Sequence, residues 1–139
     1  MRILLIGDIV GKPGRQIVVR AVKGLKLREG IDFVAANAEN AAGGSGLTVA
    51  NYRELIAGGV DCITMGDHIY RRNEIARILN SEPTIIKPAN YPAEAAGRND
   101  AHDRPRVVGS LDLLVDLVPA RAGEARVDHQ LQAVALGGG

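Results

Sequence analysis

An α/β domain with a mainly parallel central sheet is the fold class this sequence predicts, and three observations predict it. From residue 1 to about residue 92, short apolar runs, glycine- or asparagine-rich breaks and helix-like segments follow one another in a repeated βα rhythm. The apolar runs are nearly continuous and rich in Ile and Val, as strands are when helices cover both faces of a parallel sheet. The chain's polar oddities fall just after those runs, on the edge where such a sheet gathers ligands.

The elements follow in order. RILLI reads as the first strand and GDIVGKPG as its break. GRQIVVRAVKGLKLREG then sets Ile17, Ala21, Val22 and Leu25 at helical spacing, and Gly30 stops the helix. DFVAAN is the second strand and AENAAGGSGL its loop; Thr48 can cap a helix that turns Tyr52, Leu55 and Ile56 toward the sheet and ends at Gly58 and Gly59. DCITMG is the third strand, GDHIYRR the break, NEIARILN a short helix, and PTIIKPANYP the fourth strand. After Pro92 the rhythm degrades. Residues 93–139 read as an irregular, weakly structured or appended tail that ends in three glycines.

The totals bound the function classes. A chain of 139 residues holds one domain with a real core, and 46% hydrophobic against 24% charged residues with net charge +1 suits an ordinary soluble protein. Neither a disordered tail nor a broad polyanion-binding surface is indicated. No apolar run approaches the roughly 20 residues of a membrane span, so a cytoplasmic protein without membrane contact is the expectation. The single cysteine, Cys62, sits inside the run CITM and reads as a small buried residue. Four aromatic residues, Phe33, Tyr52, Tyr70 and Tyr91, are too few for a base-stacking strand platform.

The chemistry collects at the strand ends. Asp8 follows the first strand, Glu39 and Asn40 the second, Asp67 and His68 the third, and Asn90 ends the fourth. Taken singly, Asp8 also reads as a loop carboxylate capping the next turn, and Asp67 with His68 as a solvated pair. Together they are hard to explain by stability, because grouped carboxylates repel. Such a cluster calls for a cation, and carboxylate, carboxamide and imidazole are ligands for Mn, Fe or Zn. GDIVGKPGR matches neither nucleotide-binding glycine fingerprint. Lys12 and Arg15 are candidates for a phosphate near the helix start, or for a solvated basic turn.

MRILLIGDIVGKPGR, NAENAAGG and TMGDH, in this order and at this spacing, resemble the YmdB-like bacterial metallophosphoesterases, relatives of the calcineurin-like phosphoesterases. The resemblance covers about residues 1–92 and implies the first half of an α/β/β/α sandwich. It implies two divalent metal ions, iron or manganese first and zinc or magnesium after them, and hydrolysis of phosphodiesters such as 2′,3′-cyclic nucleotides, with RNA ends as a further substrate class. Residue by residue, it makes Asp8 a first-strand ligand, Glu39 the carboxylate bridging both metals, Asn40 an amide ligand, and His68 the proton donor to the leaving group. Asp67 stands where the family usually has asparagine and would serve as ligand to the second metal. The resemblance also implies further histidine ligands in a second half, part of them in a G-x-H-x-H loop. His102 and His129 do not form one, so a truncated chain of reduced or no activity is expected. A non-catalytic remnant binding nucleotide, phosphate or a partner through the same rim is the alternative, and a homo-oligomer is compatible with either.

Overall fold

The computed structural model of the chain describes residues 1–99. Strands β1 (Ile3–Ile6), β2 (Phe33–Asn37), β3 (Cys62–Thr64) and β4 (Ile85–Ile86) form a four-stranded sheet in the order β1-β2-β3-β4. Every pairing is parallel, with Ile3 opposite Phe33, Ala35 opposite Cys62 and Ile63 opposite Ile85. The connections are α1 (Gly11–Glu29), α2 (Val49–Ala57), and a 3-10 turn over Asn73–Ile75 that runs into α3 (Ala76–Leu79). The α/β class read from the rhythm is the fold observed.

The described helices do not cover both faces. Val18 and Val22 of α1, Tyr52 and Leu55 of α2, and Leu79 of α3 share one buried cluster with Val34, Ala36 and Ile63 from one side of the sheet. Phe33, Ala35 and Cys62 point to the other side and form a second, smaller cluster with Ile3 and Ile86, to which no described helix contributes. The strand order explains this. Parallel crossovers are right-handed in nearly all cases, so an order that never reverses stacks every crossover on the same face. Phe33 to Ala36 are all buried because the two pleats of β2 feed two different clusters.

Helix α1 starts at Gly11 rather than at residue 14 and closes on Gly30, which at φ 62° donates its N–H to Lys26 O. Its buried stripe is Val18 and Val22; Ile17, expected to face the sheet, is 68% exposed. Lys26 reaches Asp61 at 2.6 Å, and the same carboxylate oxygen accepts the Val34 N–H at 2.8 Å, tying the helix to the sheet. Helix α2 is capped as expected, with Thr48 Oγ1 accepting from Asn51 N at 3.1 Å. Its Tyr52 and Leu55 are buried, and Ile56 is half-buried against the same core.

β4 is far shorter than PTIIKPANYP suggests. Thr84 and Ile86 turn their carbonyls to β3, so residue 88 is the next to face it, and Pro88 has no N–H to give; the Lys87 N–H faces the outer edge and bonds Arg98 O at 2.7 Å. Of residues 93–99 the structure shows turns and one isolated parallel bridge between Ile86 and Arg98. The rest of the expected tail, with His102 and His129, lies outside the described residues. No described helix is long and apolar enough to cross a membrane.

Candidate metal centre

Parallel pairing continues past the strand ends and holds three loops level. Ile9 N donates to Asn37 O at 3.0 Å, Ala38 N to Thr64 O at 3.1 Å, and Met65 N to Ile86 O at 3.2 Å. Ile9, Ala38 and Met65 are themselves buried, so each loop is anchored one or two residues from its polar group. The carbonyl of Asn40 accepts both Gly11 N and Gly44 N at 3.0 Å, which stitches the first two loops together.

On this frame Glu39, Asp67 and His68 converge, with one potential ligand atom of each within 4.8 Å of the others. Glu39 is 5% exposed, whereas the Asp67 side chain is 80% exposed. Glu39 Oε2 accepts the His68 backbone N–H at 3.2 Å. Burial pushes the Glu39 carboxyl above the ordinary carboxylate range, and the hydrogen bond and charge of Asp67 push it further; the His68 N–H and the imidazole pull it down. A buried carboxylate facing a second one is stabilised by a proton or by a cation. The donor set, two carboxylates with an imidazole and an amide beside them, fits a divalent metal ion.

A second set of contacts orients the imidazole. Asn40 Nδ2 donates to both Asp8 oxygens, at 3.0 and 2.9 Å. That bond leaves Asn40 Oδ1 facing His68 Nδ1, 2.5 Å away. Since Oδ1 can only accept, Nδ1 carries a proton and Nε2 is the nitrogen left for chemistry. Nε2 lies 3.9 Å from Asp67 Oδ2. Asp8, Asn40 and His68 therefore act in series, from carboxylate to amide to ring.

The structure thus brings together Asp8, Glu39, Asn40, Asp67 and His68. Asn90 stands apart: it is exposed on the turn closed by Tyr91 N donating to Pro88 O at 3.1 Å, and it joins none of the described hydrogen bonds of the cluster. Arg15 bonds Glu54 at 2.7 Å and the Ala41 carbonyl, so it serves the protein's own loop. Lys12 is exposed on the first turn of α1. Burial pushes the Cys62 thiol up to about 12, in keeping with an inert core residue.

Three supporting features were not singled out from the sequence. A Cβ at residue 66 would fall inside the Glu39 carboxylate, so Gly66 makes the close approach of that side chain possible. Its signal was present: a glycine between a strand and an acid in TMGD. Arg72 donates to Ser45 O at 3.1 Å and to Ala42 O at 2.9 Å, clamping the glycine-rich loop alongside Arg15. Lys87 is 3% exposed and donates to the carbonyls of Pro92, Ala93 and Ala95 at 2.8, 3.2 and 2.7 Å. No local pattern announces either cation, because their partners are backbone oxygens distant in sequence or on a turn.

Residues 4–104 match the family described as YmdB-like protein. The chain belongs to that family. One relative of this YmdB-like chain is the 2′,3′-cyclic-nucleotide 2′-phosphodiesterase of Bacillus subtilis, 45% identical over 98 residues that cover 70% of the chain and 37% of the relative. Among solved structures, a hypothetical protein from Thermus thermophilus superposes with TM-score 0.65 at 39% identity, covering 70% of this chain and 38% of that one. A structure described as a novel phosphatase from Mycoplasma pneumoniae superposes with TM-score 0.64 at 31% identity, covering 70% and 36%. The YmdB-like chain thus spans between 36% and 38% of the length of these relatives.

Proposed function

We propose that this chain is a metal-dependent phosphodiesterase acting on phosphodiesters such as 2′,3′-cyclic nucleotides. The observation that carries the reading is the convergence of Glu39, Asp67 and His68 at the strand ends, beside the Asp8, Asn40 and His68 relay. The name of the Bacillus subtilis relative supports the substrate class. In this reading Asp8, Glu39, Asn40 and Asp67 hold two divalent ions, with iron or manganese preferred, and Asn90 contacts the substrate. Asn40 Oδ1 has a second lone pair, so holding His68 does not preclude a metal bond. Bound ions would neutralise phosphoryl oxygens and activate a water at neutral pH.

The chain's own residues do the rest. Asp8 fixes the Asn40 amide, the amide fixes the imidazole, and Nε2 of the protonated ring gives its proton to the departing ribose oxygen. For a cyclic ester the position of that single acid selects which bond opens. Asp67 adds a negative charge where the family resemblance implies asparagine; it tightens the hold on a cation and leaves less positive charge for the phosphate. A cytoplasmic setting and RNA ends as further substrates belong to the same reading.

Elemental analysis of chelator-stripped, Mn²⁺-reloaded protein and hydrolysis of bis-p-nitrophenyl phosphate test it together. Bound Mn²⁺ that Glu39→Gln loses, with turnover that His68→Gln lowers by about 10²–10⁴ while keeping the metal, is the expected result. Protein that binds no metal sinks the reading. A second reading is favoured by one observation: a single histidine, His68, accompanies the carboxylates among the described residues, where the resemblance implies more. Under it the rim binds nucleotide or phosphate without turnover, and calorimetry beside the hydrolysis assay separates the two.

A further inference from the structure

We propose that Tyr70 and Tyr91 form a wall on which the substrate's nucleobase stacks; the inference rests on the phosphodiesterase reading for the phosphate site beside it. Tyr70 belongs to the turn that carries His68, closed by Arg71 N donating to His68 O at 3.0 Å. Two trans peptides keep the Cα atoms of His68 and Tyr70 within ~7.6 Å, the scale of one ribose between phosphate and base. Ile69 between them is fully buried and anchors the turn, with His68 half-buried before it and Tyr70 exposed after it. Tyr70 is 39% exposed, an open aromatic surface two residues along the turn from the candidate proton donor.

Tyr91 comes from the other side, on the turn that carries Asn90. The two rings meet edge to face, with centroids 5.8 Å apart and planes at 61°. Tyr91 is half-buried against the main core, which seats its ring at the back of the pair, and the exposed surface of Tyr70 remains open to a third ring. Both turns are also held still. Tyr70 OH donates to Ala96 O at 2.7 Å, and the buried Lys87 ammonium gathers the carbonyls of Pro92, Ala93 and Ala95, fixing the segment that follows Tyr91. No catalytic role needs a buried lysine spent on backbone oxygens. Preorganising an aromatic wall does, because a ring already in place loses little entropy when a base arrives. Two rings suit one base rather than a strand, which fits a small cyclic nucleotide.

The chain has no tryptophan, so emission comes from its three tyrosines, and the variants below separate Tyr70 and Tyr91 from the buried Tyr52. The full 139-residue chain is titrated with adenosine 3′-monophosphate and, as a baseless control, ribose 5-phosphate, each with and without Mn²⁺. Quenching by the nucleotide alone, and affinity about tenfold above that of the sugar phosphate, are expected. Tyr70→Leu and Tyr91→Leu should each erase most of that advantage with unchanged circular dichroism, while Tyr70→Phe keeps it. Equal affinity for the two ligands, or a preference that survives both leucine variants, overturns the proposal. A base preference that persists without metal binding or turnover supports it and overturns the hydrolase reading instead.

Discussion

A methyl group at residue 66 has nowhere to go except into the Glu39 carboxylate, and that carboxylate is buried with its oxygen on the His68 N–H. Gly66→Ala must therefore expel Glu39 or shift the β3 loop. Either movement separates the groups that converge on the candidate metal. We expect a loss of about 1–3 kcal/mol in stability and at least a tenfold weaker hold on Mn²⁺, read by thermal melting and equilibrium dialysis. Unchanged metal affinity would show that the approach of Glu39 to residue 66 does not matter for the site. The polar members of the cluster were legible in the sequence because strand-end position alone selects them: nothing about packing asks for Asp8, Asn40 or His68 where they stand. Lys87 was not, since what defines it is three carbonyls gathered around it in space, and Gly66 left only the trace in TMGD, because the Glu39 oxygens that require it are distant in sequence.

The loop between β2 and α2 illustrates how an irregular element is made rigid. Arg15 takes the carbonyl of Ala41, Arg72 those of Ala42 and Ser45, and at Gly46, φ 80°, any Cβ would press on Arg72 Cγ at 2.8 Å. Arg72→Ala leaves the carbonyl of the buried Ala42 without this partner, a loss of about 1–3 kcal/mol for bonds from a charged donor. The prediction is local: amide exchange quickens across residues 41–47 while the middle of α1 keeps its protection, and Mn²⁺ affinity falls with the ordering of Asn40. Equal exchange in variant and wild type would mean the loop holds itself. Elements with chemical punctuation were readable in advance, such as α2 with its Thr48 cap and α1 with Gly30. The face of α1 was readable in part: Val22 is buried as its spacing suggests, while Ile17 is exposed and Val18 takes the buried position. Ile17 and Ala21 satisfy helical spacing as well as Val18 and Val22 do, and docking against the sheet, a tertiary event, decides between them. β4 was overread for a related reason: PTIIKPANYP has strand composition, but Pro88, the next residue to face β3, has no N–H, and the pairing ends at Ile86.

Across the whole molecule, a sheet whose order never reverses places its helices on one face and delivers consecutive loops side by side at one edge. Asp8, Glu39 and Asn40, and Asp67 and His68 thus come from the tips of β1, β2 and β3, and a cation held among them ties three strands together. Metal and fold stability are therefore linked. The sign follows from Glu39. Its carboxyl is raised in the folded chain, chiefly by burial, so the folded state binds that proton more tightly than the unfolded one. In metal-free protein this contribution is fully present at low pH and is lost as pH rises from the ordinary carboxylate range through the raised value. A divalent ion takes over where the proton leaves. Mn²⁺ at about a hundred times its dissociation constant stabilises the fold by ~2.7 kcal/mol, a rise on the order of 10 °C in melting temperature for a chain of this size. We expect that rise to be large at pH 8 and small at pH 5. In Glu39→Gln, which carries no buried charge to relieve, the metal-free protein should melt higher than wild type at pH 8 and respond little to Mn²⁺ at either pH. A rise of equal size at both pH values, or in the glutamine variant, would place the cation somewhere other than on Glu39.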